Sequence, residues 1–152
     1  MNRAWTYIIS RDLNTLELDQ LLRQGQQFVK SWTAHEVQLH GSFEIFKKKI
    51  IIVKVNESIH EASGCSIDKL SKFIKNIEVE FNIELLNRLL VAIKNGEGID
   101  IVHSSKIKEL LQNGKLNQDS IIYNTAIANQ EELISWEQSL KKTWLNKYLI
   151  SA

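Results

Sequence analysis

The sequence predicts one α+β domain over residues 1–152, with a ferredoxin-like β-α-β-β-α-β core and a C-terminal extension of strand and helix. Two observations predict this fold class. Segments with alternating apolar residues, which are typical of strands, are interleaved with two segments whose apolar residues recur at helical spacing. In addition, no linker rich in Gly, Pro or Ser and no internal repeat divides the chain.

The first strand and the first helix have the clearest patterns. Residues 4–9 alternate as a strand does, and Asn14 with Glu17 three residues later forms a capping box that begins a helix. The apolar stripe of this helix consists of Leu18, Leu21, Leu22, Gly25, Phe28, Val29 and Trp32. A single stripe predicts that the helix covers one face of a sheet.

The next segments predict a β-hairpin. Residues 36–45 alternate between apolar and polar, which indicates a strand with a polar outer face. The three lysines at 47–49 predict the turn. Residues 50–55 are mostly apolar and predict a strand that is buried on both faces.

A second helix and a second hairpin complete the predicted core. Ser66 is the expected N-cap of a helix over residues 66–81. Residues 89–93 predict a fourth strand, and the turn at 95–98 leads to a fifth strand at 99–102. We expect the first four strands to form one antiparallel sheet with both helices on the same face.

The C-terminal extension is expected to contain a helix, a strand and a second helix. The first helix is capped by Ser104 or Ser105, and the strand covers residues 120–123. Asn129 and Glu132 form another capping box, which begins a helix through Leu133, Trp136 and Leu140, and its continuation past Trp144 to Tyr148 is left open. Its aromatic residues are expected in the core rather than on a partner surface: Trp136, Trp144 and Tyr148.

Composition narrows the choice of partner and compartment. Lys and Arg number 19 against 18 Asp and Glu, so the chain lacks the basic balance of a dedicated nucleic-acid-binding protein. No apolar stretch approaches the roughly 20 residues that span a membrane, and no signal peptide is recognisable. With Cys65 as the single cysteine, we expect a cytoplasmic protein without a disulfide.

Several well-known catalytic motifs are missing from the sequence. It contains no phosphate-binding loop, no dinucleotide-binding glycine motif and no nucleophile elbow. One cysteine and four scattered histidines give no zinc-ligand spacing. The sequence therefore predicts neither a cofactor nor a metal.

The segment from Ser63 to Asp68 is the best candidate for chemistry. Gly64 permits a tight turn, and Ser66 with the free N–H groups of the following helix would make a small anion site. Cys65 lies beside the positive end of that helix, which favours the reactive thiolate. The alternative interpretation makes Ser63 and Ser66 cap residues and Cys65 a small buried side chain.

A second segment with candidate functional side chains runs from Trp32 to His35. Trp32 would form an apolar wall, and His35 would act as a base or as a proton switch near neutral pH. His60, just before Cys65 in the chain, is another candidate base. The alternative interpretation of His35 is a histidine that stabilises the negative end of the first helix.

The chain resembles an uncharacterised bacterial family of similar length at two motifs, Trp32-x-x-His35 and Ser63-Gly64-Cys65-Ser66-Ile67-Asp68. The likeness continues to Asn87-Arg88, Tyr123-Asn124 and Trp144. Members of that family often carry the label "ABC transporter ATPase", which the missing phosphate-binding loop argues against. The resemblance implies a small bacterial cytoplasmic protein and no particular activity.

Three functions follow as hypotheses. The first is a non-catalytic domain that binds a small molecule or a protein partner near the Cys65 loop. Its binding residues would be Trp32, Ser63, Gly64 and Ser66. The second is a thiol enzyme with Cys65 as nucleophile and His35 or His60 as base. The third is a structural or assembly protein, for example a homodimer that pairs across a sheet edge.

Overall fold

The computed structural model of the chain describes residues 2–57 and 62–150, so His60 lies outside the described residues. The mixture of helix and sheet confirms the α+β class. The strands are β1 (Ala4–Ile8), β2 (Thr33–Ala34), β3 (Val37–Gln38), β4 (His40–Phe46), β5 (Ile50–Asn56), β6 (Leu90–Asn95), β7 (Gly98–His103), β8 (Ile121–Tyr123) and β9 (Glu137–Ser139). The α-helices are α1 (Thr15–Ser31), α2 (Gly64–Phe81), α3 (Ile107–Gln112), α4 (Gln130–Ile134) and α5 (Lys147–Ile150).

The first sheet has the antiparallel order β1-β5-β4. Its β4–β5 turn is the three-lysine segment, in which Lys47 and Lys48 adopt positive φ angles of 49° and 67°. Two consecutive residues with positive φ match the type I′ turn that twists as a hairpin requires. The predicted hairpin is therefore confirmed, but its first strand begins at His40, because Val37–Gln38 pair with β2 instead.

Helices α1 and α2 pack on the same face of this sheet, as expected. Alternate residues of β5, among them Val53, share one buried cluster with Leu21 of α1 and Ile74 of α2. Helix α1 comes unusually close to β4, because a Cβ atom on Gly25 would lie 2.1 Å from the Phe43 ring. The glycine at this position of the apolar stripe thus permits the close contact between helix and sheet.

The second sheet has the order β7-β6-β8-β9 and packs against the other face of the first sheet. Ile50 and Ile52 of β5 lie in a cluster with Ala92 of β6 and Trp136. Because the two faces of β5 belong to two different clusters, its predicted burial on both faces is confirmed. A third cluster lies between the second sheet and the C-terminal helical segments.

The expected single sheet of the first four strands was wrong. The fourth strand, β6, pairs with β7 along one edge and with β8 along the other. The β8 pairing uses Ile93, on the edge of β6 that does not face β7. It contacts β1 without pairing with it.

The expected long C-terminal helix was also wrong, because α4 ends at Ile134. Residues Glu137–Ser139 pair with β8 instead, and the Trp136 ring packs against Tyr123 at 4.9 Å between centroids. Trp136 is in the core as predicted, whereas Trp144 is 50% exposed.

The cap before α3 also differs from the prediction of Ser104 or Ser105. A short 3-10 turn, Ser104–Lys106, precedes the helix. The ring nitrogen Nδ1 of His103 accepts the Ser105 N–H at 3.1 Å, so a histidine is the cap of this turn. In the part of the chain that the structure describes, no helix is both long and apolar enough to cross a membrane.

Candidate functional site

Trp32 and the beginning of α2 lie next to each other. The indole Nε1 of Trp32 donates a hydrogen bond of 2.8 Å to the backbone oxygen of Ser66. The side chain is 1% exposed, and its ring contacts Trp5 and Phe28 with centroid distances of 5.8 and 5.3 Å. Both the polar atom and the ring of Trp32 are therefore already in use within the protein.

The polar groups at the beginning of α2 are paired with one another. Helix α2 begins at Gly64, so its N-cap is Ser63 and not Ser66. Ser66 N–H donates to Ser63 Oγ (3.2 Å), and Ser63 N–H donates to Ser66 Oγ (2.8 Å), which together form a capping box. The cap interpretation of both serines is confirmed, and their role in ligand binding stays a prediction.

The structure shows no steric requirement for glycine at position 64. It has no positive φ, and a Cβ atom there would meet no other atom within 4 Å. Gly64 is the first residue of α2, so the expected tight turn at this residue is wrong, and its role in ligand binding stays a prediction. Cys65, the next residue, is exposed, which excludes its interpretation as a small buried side chain.

His35 lies at the tip of the β2–β3 ribbon, far along the chain from Cys65. It is exposed, and with Glu36 it forms a tight turn in which both residues have positive φ. None of the described histidines, at positions 35, 40 and 103, forms a hydrogen bond with Cys65. Within residues 2–57 and 62–150, no three His, Cys, Asp or Glu side chains are grouped to hold a metal ion. The catalytic roles of Cys65, His35 and His60 stay predictions.

A larger concave feature, which we call the intersheet cleft, lies between β1 and the second sheet. Its volume is about 840 Å³, within the range of ~300–1,000 Å³ typical of ligand pockets. Four parts of the chain line it: residues 5–8 of β1, a segment within 85–92, residues 122–127, and a C-terminal group that includes Gln138 and 142–144.

Successive residues of β1 direct their backbone N–H and C=O groups to opposite edges of the strand. Ile9 N–H donates to Lys49 O (2.9 Å), and Val55 N–H donates to Arg3 O (3.1 Å). Odd-numbered residues of this segment therefore direct their backbone groups towards β5. Because the pattern alternates in antiparallel pairs, the even-numbered residues direct theirs to the opposite edge.

This opposite edge of β1 is only partly paired. Backbone hydrogen bonds close its two ends: Ala4 N–H to Ala128 O (3.2 Å) and Ser10 N–H to Glu84 O (3.1 Å). Between these ends, none of the described residues accepts a hydrogen bond from Thr6 N–H or Ile8 N–H. Both residues line the intersheet cleft, where the Thr6 hydroxyl donates to Thr125 O (2.9 Å) and the two backbone N–H groups have no acceptor among the described residues.

Four aromatic residues border the cleft: Trp5, Tyr7, Tyr123 and Trp144. The rings of Trp5 and Tyr7 pack against the cluster under α1 and α2, whereas Trp144 is half exposed. Burial raises the pKa of Tyr7 well above its usual range, so its hydroxyl stays protonated and can donate a hydrogen bond. Polar side chains also line the cleft, among them Asn87, Asn124 and Gln138.

Sequence reasoning placed no site in this cleft. Nevertheless, the residues that extend the family resemblance beyond its two motifs all line it: Asn87, Arg88, Tyr123, Asn124 and Trp144. They come from three separate segments, so no local spacing relates them. In the sequence, Asn87 and Arg88 precede the predicted strand 89–93, and Asn124 follows the predicted strand 120–123. Polar residues at strand ends are also typical of ordinary loops.

Comparison with known proteins adds no assignment. No protein-family model matches the chain, and neither a curated protein nor a solved structure shows significant similarity to it. The resemblance to the uncharacterised bacterial family therefore stays a prediction, and the function has to be argued from the geometry of the chain itself.

Proposed function

We propose that this chain is a small-molecule-binding domain whose ligand occupies the intersheet cleft. The observation that carries this proposal is the unpaired edge of β1 at Thr6 and Ile8, which opens onto a cleft with partly apolar walls that include Trp144. Ligand sites in proteins combine such walls with a few polar groups that orient the ligand. A molecule with an aromatic or apolar body and a hydrogen-bond acceptor complements both features.

The ferredoxin-like arrangement is part of the proposal. In that arrangement the fourth strand pairs with the free edge of the first. The order β1-β5-β4, the two helices on one face and the position of β6 beside β1 all agree with it. Since β6 leaves the middle of the β1 edge unpaired, a ligand would supply the hydrogen bonds that the fourth strand makes elsewhere.

The uncharged probe N-phenyl-1-naphthylamine, which fluoresces in apolar surroundings, tests the proposal. We expect saturable binding of one probe molecule per chain. Ala126 is exposed and lines the cleft, so Ala126→Trp should fill the cleft and still allow folding. We expect roughly tenfold weaker probe binding. The matched variant Ala126→Ser should bind as the wild type does. Equal binding by Ala126→Trp, or no saturable binding at all, would refute the proposal.

Thiol chemistry at Cys65 is the second candidate function. It is supported by one observation, namely that Cys65 is exposed in the first turn of the 18-residue helix α2. The positive end of a helix favours the thiolate, which is the nucleophile. The rate of alkylation by iodoacetamide against pH tests it, with Cys65→Ser as the blank. A midpoint at the free-thiol value of about 8.5 excludes an activated thiol.

A further inference from the structure

The intersheet cleft has two positively charged side chains and no negatively charged ones. Arg88 and Lys142 both line it, and the described lining residues include neither Asp nor Glu. The cleft therefore carries a local positive charge, although the chain as a whole is nearly neutral. A ligand that brings a negative charge would restore the balance locally.

Arg88 differs from the other arginines of the chain. The three others form ion pairs: Arg3 with Glu57 (3.3 Å), Arg11 with Glu17 (2.8 Å) and Arg23 with Asp19 (3.1 Å). No described carboxylate lies within ion-pair distance of Arg88. Its planar guanidinium can donate two parallel hydrogen bonds to a carboxylate, phosphate or sulfonate.

Lys142 likewise differs in ion pairing from the preceding residue, Lys141. Lys141 forms an ion pair with Asp119 at 2.9 Å, whereas Lys142 lines the cleft and has no ion-pair partner among the described residues. Next to it, the Trp144 ring lines the cleft with the Lys147 ammonium 5.2 Å from its centroid. Positive charge and exposed aromatic surface therefore occur together at this part of the cleft.

We infer that the ligand is an organic anion with an aromatic or apolar body, and that Arg88 and Lys142 bind its acidic group. Its body lies against Trp144 and the apolar side chains that line the cleft. This inference rests on the proposed function, because it names the class of ligand for the same cleft. The acidic group is a carboxylate, phosphate or sulfonate, all of which have the paired oxygens that a guanidinium binds.

Two probes that differ by one charged group test the inference. The first, 8-anilinonaphthalene-1-sulfonate, is N-phenyl-1-naphthylamine with an added sulfonate. We expect the sulfonate to bind more tightly than the neutral probe. The double variant Arg88→Gln/Lys142→Gln should bind the sulfonate roughly tenfold more weakly or worse and the neutral probe equally well. Raising the salt concentration should weaken only the sulfonate complex.

A matched variant and the neutral probe separate the outcomes. Arg23→Gln/Lys75→Gln removes the same two charges outside the cleft, so its sulfonate binding should equal that of the wild type. If both probes bind equally and the Arg88→Gln/Lys142→Gln variant changes neither affinity, the anionic class is wrong and the cleft proposal stands. If neither probe binds saturably, or if Ala126→Trp affects neither, the proposed function itself fails.

Discussion

The beginning of α2 and the intersheet cleft differ in how their polar groups are used. At the beginning of α2, Ser63 and Ser66 hydrogen-bond each other, and Trp32 Nε1 is bonded to Ser66 O. In the cleft, the N–H groups of Thr6 and Ile8 have no partner among the described residues, and Arg88 and Lys142 have no ion pair. Saturated polar groups stabilise the fold, whereas unpaired ones can bind a ligand.

The two tryptophans Trp32 and Trp144 give the largest expected contrast in stability. Trp32→Ala should lower the free energy of unfolding by about 3–5 kcal/mol, because it leaves a large cavity in the core. Trp144→Ala should change it by less than about 1 kcal/mol, since half of that side chain is exposed. Urea unfolding followed by circular dichroism measures both.

The effects of the two tryptophan substitutions on probe binding should have the reverse order, with the larger effect for Trp144→Ala. Trp144→Ala removes part of the cleft wall and should weaken the binding of N-phenyl-1-naphthylamine. If Trp144→Ala destabilises the protein as much as Trp32→Ala does, the distinction between a structural and a binding aromatic is lost.

Gly25 and Gly64 provide the next comparison. Gly25→Ala should destabilise the protein by about 1–3 kcal/mol, because the new methyl group would overlap the Phe43 ring. Gly64→Ala should be neutral or stabilising by up to about 1 kcal/mol, since it adds a methyl group to a helix without a clash. Thermal unfolding of both variants measures the two changes in stability. A loss of stability in Gly64→Ala would mean that this glycine has a role the contacts do not reveal.

The smallest expected effect concerns the cap of α2. Ser63→Ala should lower stability by about 1 kcal/mol, because it removes the side-chain acceptor of the Ser66 N–H. Ser71→Ala, an exposed position in the same helix, should have no such cost. Neither variant should alter probe affinity. A changed affinity in Ser63→Ala would place the ligand at the Cys65 segment after all.

Features that depend on neighbouring residues could be predicted from the sequence. The capping box of Asn14 and Glu17, the three-lysine turn and the doubly buried strand β5 are all encoded within a few residues. The predicted N-cap of α2 is three residues late, at Ser66 instead of Ser63, because both serines of its capping box are good N-cap residues.

Features that depend on distant partners could not be predicted. The pairing of β6 with β8, rather than with β1, is a choice between strands that all have suitable patterns. The cleft follows from that choice, since it exists only because β1 keeps part of one edge unpaired. For the same reason, Arg88 and Lys142 carried no signal in the sequence beyond their charge.

Amide proton–nitrogen correlation spectra during titration with N-phenyl-1-naphthylamine test the central claim most directly. If the ligand occupies the intersheet cleft, the amide signals of Thr6 and Ile8 should shift with the probe concentration, along with that of Asn124. The amide signals of Gly64 and Cys65 should stay in place. Shifts at Gly64 and Cys65 with none at Thr6 and Ile8 would contradict the account.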